Sequence, residues 1–120
     1  MILLSFLPQM VVKIKYSKRQ METIRENLKL CKWDTRYGVF KVNKAESLEH
    51  NLKMAEQFTI LSYEGFCIAV RPELKNGSRP DLLVLNTKHP IAKEVMVTEK
   101  EERFVKKNYL GIQKIKVKVK

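Results

Sequence analysis

The sequence predicts a small α/β protein, with a mixed central sheet flanked by helices and an extra helical segment at the N-terminal side. Three observations predict it. Capping-box signatures mark three helix starts, short β-branched apolar runs lie between the helices, and turn residues separate those runs. From residue 46 onward the order reads helix, three strands, helix, strand, an alternation that buries helices against a sheet.

The first helix is predicted over 18–31: Ser17 and Gln20 match a capping box, and Met21, Ile24, Leu28 and Cys31 recur at helical spacing. The second is predicted over 44–64. Asn43 and Glu46 mark its start, Leu48, Leu52, Ala55 and Phe58 form its inward stripe, and Gly65 stops it. Thr98 and Glu101 open a third, over 99–109, which ends before Gly111. Phe66–Val70, Leu82–Leu85 and Ile91–Val97 read as strands, with Asn76-Gly77 turning between the first two and Asn86–Pro90 between the next two. Ile115–Lys120 alternates as a strand with one wet face, and Val12–Tyr16 is a further candidate. The organisation expected is a single domain. Residues 1–45 are a basic extension of strand and helix packed on a core of residues 46–120.

A length of 120 residues with 44% hydrophobic and 8% aromatic content excludes global disorder and leaves room for one core. The net charge of +11 favours a polyanionic partner, because each phosphate neutralised releases condensed counterions; a generally lysine-coated surface would give the same total. The charge is uneven: +7 over residues 1–45, −1 over 46–100 and +5 over 101–120. An acidic middle between basic flanks suits carboxylates that hold a metal within a surface attracting phosphate. Cys31 and Cys67 lack disulfide-scaffold and metal-ligand spacing, and read as buried thiols. Met1–Leu7 is apolar, but Pro8 ends it well short of a membrane span. Without a basic n-region or cleavage site, it reads as an ordered segment or dimer contact of a cytoplasmic protein.

Glu49 on the second helix, Arg79-Pro80-Asp81 opening the second core strand, and Glu94 in the third resemble the PD-(D/E)XK nuclease pattern. The order of elements over 46–120 is also similar to that superfamily's restriction-endonuclease-like αβββαβ core, shared by some archaeal junction resolvases. The resemblance implies that Glu49, Asp81 and Glu94 hold one or two Mg²⁺ (or Mn²⁺) ions. It also implies a lysine two residues after the strand glutamate, where this chain has Met96. Lys53, one helical turn beyond Glu49, is the candidate replacement, so Asp81, Glu94 and Lys53 are the expected catalytic set.

Pairing geometry supports the acid pair independently. A hairpin turning between Thr87 and Lys88 sets Asp81 opposite Glu94, with side chains about 5 Å apart on one face. Two carboxylates that close repel unless a cation joins them. A glutamate within an apolar strand is costly to bury without a partner. Glu49, flanking the predicted Leu48/Leu52 stripe, would lean toward the same spot. Arg-Pro-Asp alone is also an ordinary turn string, and Glu49 alone could be a solvated helix residue. Glu73 and Glu99 flank the expected site, whereas His50 and His89 read as exposed helix and turn residues.

Lys18, Arg19, Arg79 and Lys100 are the candidate nucleic-acid contacts. Trp33, Tyr37 and Phe40 are expected mainly to pack the N-terminal helix onto the core, although aromatics among basic residues can also stack unpaired bases. The leading expectation is a metal-dependent endonuclease hydrolysing DNA phosphodiesters, with a homodimer as one arrangement open to it. A catalytically inactive nucleic-acid-binding protein on the same fold is the alternative. An assembly protein with an acidic protein partner is the third reading.

Overall fold

The structure, a computed structural model, describes residues 11–96 and 101–118. It is a small α/β protein, with two sheets and three helices among the described residues. Strand β1 (Val11–Lys13) pairs antiparallel with β2 (Val39–Lys41), placing Val12 opposite Phe40. Between them runs α1 (Lys18–Leu28), opened by the complete Ser17/Gln20 capping box. The helix stops short of the predicted residue 31. Cys31 bridges to Leu74 and the Lys75 N–H donates to the Leu30 carbonyl, so the chain must unwind there to pair.

The second helix, α2 (Leu48–Tyr63), begins four residues later than predicted, capped by Ser47 through the His50 N–H. Asn43 instead forms a local turn, its side chain accepting from the Ala45 N–H. The predicted inward stripe is also rotated. Leu48 and Leu52 are exposed, whereas Asn51, Met54, Phe58 and Leu61 are buried. Asn51 is taken inward because its amide donates to the carbonyls of Asn43, Glu46 and Ser47, so its burial costs no hydrogen bond.

The main sheet has the order β3 (Ile68–Val70), β4 (Leu82–Val84), β5 (Ile91–Met96), β6 (Gln113–Lys118). The first two pairings are antiparallel and the last is parallel. A parallel neighbour needs a crossover, which α3 (Glu101–Lys106) supplies. The helix ends at Lys106, before the predicted residue 109, and the predicted start at Thr98, together with Glu99 and Lys100, lies outside the described residues. The turn at Asn76-Gly77 is as predicted, with Gly77 at φ +86°. The β4–β5 register pairs Leu82 with Lys93 and Leu83 with Ala92, the hairpin alignment expected from the sequence.

Strand alternation gives the sheet two apolar faces. On one, Ile68, Leu82, Val84 and Val95 meet Met54, Phe58 and Leu61 of α2, with Phe40 beside them. On the other, Ala69, Leu83, Leu85 and Ala92 meet Ile24 of α1, Leu74, Tyr109 and Ile112. Asn27 of α1 ties the second face down by donating to the carbonyls of Leu85 and Thr87 at 2.7 and 2.8 Å. The N-terminal strands are locked on by Gly38, whose N–H donates to the Ile68 carbonyl while its carbonyl accepts from the Ile14 N–H, both at 2.7 Å. Only glycine fits there: φ is +69°, and a Cβ would lie 2.6 Å from the Ile14 oxygen. No helix among the described residues is long and apolar enough to cross a membrane.

Candidate functional site

Asp81 stands just before β4, and Glu94 lies opposite it on β5. Their side chains are interlocked through the backbone. The Asp81 N–H donates to Glu94 Oε2 at 3.0 Å, and the Val95 N–H donates to Asp81 Oδ2 at 2.8 Å. Glu94 is almost completely buried, at 1% exposure, on the face that carries Ala92 and Tyr109. Its other oxygen accepts from Lys107 Nζ at 3.0 Å and from the Tyr109 hydroxyl. Burial, and then the Asp81 carboxylate beside it, push the Glu94 carboxyl above the ordinary carboxylate range; Tyr109 and Lys107 pull it back.

Lys107 and Tyr109 follow α3, in the segment leading into β6. That segment is held by Lys114 of β6, whose ammonium donates to the carbonyls of Phe104, Val105 and Lys107. Met96, at the position where the resemblance calls for lysine, is buried. An ammonium therefore reaches the strand glutamate from beyond the third helix.

From the opposite layer, α2 presents His50. Its two ring nitrogens lie 2.9 Å from Glu46 Oε1 and 3.3 Å from Asp81 Oδ2. Two carboxylates accepting from one ring favour the doubly protonated imidazole, and the bonds to Asp81 and Glu46 push the His50 pKa up to about 10. Glu46 also receives a forked contact from the Arg71 guanidinium, at 2.7–3.2 Å. Burial opposes ionisation of Glu46, but His50 and Arg71 outweigh it and hold the carboxyl at about 2. Arg71 adopts φ +49°, uncommon for a side-chain-bearing residue. Its N–H donates to the Asp81 carbonyl at 2.8 Å and its guanidinium to the Lys41 carbonyl at 2.8 Å, contacts that pin this conformation. Three acids and three cations thus form one chain, Arg71–Glu46–His50–Asp81–Glu94–Lys107, with balanced charge.

The structure brings together two of the expected residues, Asp81 and Glu94, and corrects two others. Glu49 is exposed and is not part of the cluster. With α2 turned to bury Asn51 and Met54, His50 flanks the buried stripe and Glu49 lies about 100° farther round the helix. Lys53 pairs with Glu56 at 2.8 Å along its own helix rather than reaching the acids. Glu73, expected to flank the site, is held by Lys32 and Arg79. Of the expected nucleic-acid contacts, Lys18 and Arg19 are exposed on the first turn of α1, and Arg79 is 63% exposed; Lys100 lies outside the described residues. His89 is exposed as expected, but His50 is not. Glu46 and His50 could have been found from their i, i+4 spacing. Lys107 and Tyr109 carry no sequence signal, because the chain path after α3 alone aims them at Glu94.

One ligand atom each from Glu46, His50 and Asp81 lies within 4.8 Å of the others. Two carboxylates and an imidazole are a suitable donor set for a divalent ion such as Mn²⁺, and less so for Mg²⁺, which prefers oxygen alone. The fit requires His50 to lose a proton and Glu46 to loosen from Arg71. No protein-family model, curated protein or solved structure matches the chain.

Proposed function

We propose that the chain is a divalent-metal-dependent hydrolase of DNA phosphodiesters, built on a PD-(D/E)XK-like αβββαβ core. Asp81 and Glu94 are its acidic centre, and Lys107 replaces the strand lysine. The observation that carries this reading is the meeting of the two acids with the Lys107 ammonium at one end of β4 and β5. A buried glutamate with a half-buried aspartate and an ammonium against it is expensive to assemble for stability alone.

In this reading Asp81, with His50 and Glu46 or with Glu94, holds the cation. The cation supplies charge neutralisation at the phosphate and a more acidic water. Lys107, with 34% of its side chain exposed, faces solvent beside Glu94 and can orient a water or steady charge on the leaving oxygen. Glu94 fixes that ammonium, and Tyr109 fixes Glu94.

The second reading, a non-catalytic nucleic-acid-binding protein on the same core, is favoured by the closed charge balance of the six-residue chain, which needs no ion to be satisfied. Plasmid nicking separates the two. The hydrolase reading expects Mn²⁺- or Mg²⁺-dependent relaxation of supercoiled plasmid, abolished in Asp81→Asn and reduced about a hundredfold or more in Lys107→Ala. Lys53→Ala should cut like the unmodified protein. If linear, supercoiled and branched DNA all stay intact with either metal, catalysis is excluded and the binding reading stands.

A further inference from the structure

The sequence expectation that Trp33 packs against the core is overturned: it is 97% exposed, the most exposed large apolar side chain among the described residues. Tyr37, by contrast, stacks on Tyr16, and Phe40 is buried. The backbone under Trp33 is nevertheless fixed. Lys32, Trp33, Asp34 and Thr35 form a tight turn, closed by the Thr35 N–H and hydroxyl donating to the Lys32 carbonyl at 3.0 and 2.6 Å. The turn is anchored to the segment after β3 by the Lys32 N–H to the Glu73 carbonyl at 2.9 Å and by the Cys31–Leu74 bridge just before it. An indole on a rigid crest loses little conformational entropy when something stacks on it.

Beside the crest lies a polar pocket of about 250 Å³, walled by the guanidinium-bearing Arg36, Arg71 and Arg79 and by two acids, Asp34 and Glu73. Glu73 is already paired with Lys32 and Arg79, so the arginines outnumber the acids there. Arg36 is exposed and has no ion pair or hydrogen bond among the described residues. Arg79 gives one guanidinium nitrogen to Glu73 at 2.9 Å, and its other donors have no partner among the described residues. The pocket shares Arg71 with the acid chain, and Arg79 precedes Asp81 by two residues. Arg71 joins the two places, since it lines the pocket while its N–H donates to the Asp81 carbonyl at 2.8 Å.

The geometry points to a subsite for an unpaired nucleotide, with its base stacked on Trp33 and its phosphate held by Arg36 and Arg79. It rests on the nucleic-acid reading above and narrows it to substrates that offer a single strand, an end or a junction. A base paired within a duplex has both faces occupied, so Trp33 selects against it. An aromatic face beside guanidinium donors suits a base joined to a phosphate better than it suits a run of carboxylates.

Trp33 is the only tryptophan in the chain, so its emission reports this site alone. The probe is single-stranded oligodeoxythymidylate of about twelve nucleotides, long enough to cover a site of this kind, titrated in EDTA so that binding is separated from cutting. Saturable quenching is expected, much weaker with a duplex of the same length. By polarisation of the labelled oligonucleotide, Trp33→Ala should weaken binding about tenfold or more. Arg36→Ala and Arg79→Ala should each lower the salt slope by about 0.7, the value for one lost single-strand phosphate contact.

Equal quenching by polyglutamate would overturn the subsite in favour of an acidic protein partner. Duplex binding as tight as single-strand binding, or unchanged affinity in Trp33→Ala, would overturn it as well. Plasmid nicking without Trp33 quenching would sink the subsite and leave the hydrolase reading intact, whereas quenching without nicking would do the reverse.

Discussion

Replacing Lys107 with methionine keeps most of the side chain's length and removes its charge, leaving Glu94 buried at 1% exposure with Tyr109 and the Asp81 N–H as partners. At 3.0 Å, with an effective dielectric constant of about 20, the gross attraction is about 5 kcal/mol. A third of the Lys107 side chain is solvated, and two neutral donors to Glu94 remain, so the net loss expected at neutral pH is about 2 kcal/mol. The loss must depend on pH. Burial already raises the Glu94 pKa above its unfolded value. Its contribution is therefore fully present below the unfolded pKa and is lost as pH rises through the folded one. Removing Lys107 raises the folded pKa further and deepens that loss. Urea denaturation in EDTA, followed by far-UV circular dichroism because Trp33 is exposed in the fold, should show the deficit of about 2 kcal/mol near pH 8 shrinking to about 0.5 kcal/mol near pH 4.5. Lys53→Met, which breaks only a surface pair with Glu56, should lose less than about 0.5 kcal/mol at either pH. A Lys107→Met deficit that is the same at both pH values would show that the ammonium does not sit on an ionised Glu94.

Two further outcomes test the rest of the network and the join between the sheets. For metal-free protein, His50 contributes stability that is fully present below about 6.5 and lost as pH rises through about 10. Glu46 contributes stability present above about 4.5 and lost as pH falls toward about 2. The melting temperature in EDTA should therefore be highest between roughly pH 5 and 7, and His50→Gln should flatten the alkaline decline; an unchanged decline would remove His50 from the network. Gly38→Ala should cost about 2 kcal/mol or more, because a Cβ there meets the Ile14 oxygen at 2.6 Å with φ +69°. At Gly77 the φ is +86° but nothing lies within 4 Å, so Gly77→Ala should cost only about 1 kcal/mol; equal losses at the two sites would count against the close approach at Gly38.

Much of the fold was readable from residue types. The β4–β5 register followed from the turn at Thr87 and Lys88, because a hairpin's pairing is set locally by its turn, and it brought Asp81 opposite Glu94. The Ser17/Gln20 box and the Asn76-Gly77 turn held for the same reason. The buried face of α2 was not legible from residue types. Leu48 and Leu52 are more apolar than Asn51, so periodicity assigned the buried face to them. The asparagine instead went inward to satisfy three carbonyls, and the rotation exchanged Glu49 for His50, which Glu46 meets from just before the helix. The strand β2 was not predicted, because three residues pairing across a long loop carry too short a pattern.

The sequence alone determined an α/β chain of high positive charge, the alternation of its core elements, and one pair of acids facing each other across two strands. Each of these depends on neighbours a few residues apart, or on a turn between them. Only the tertiary structure decided which cation answers those acids, which side of α2 looks at them, and that Trp33 is left in solvent. Those outcomes depend on how separately formed layers settle against one another, where a rotation of one residue on a helix, or the path of a loop after it, changes which side chains meet.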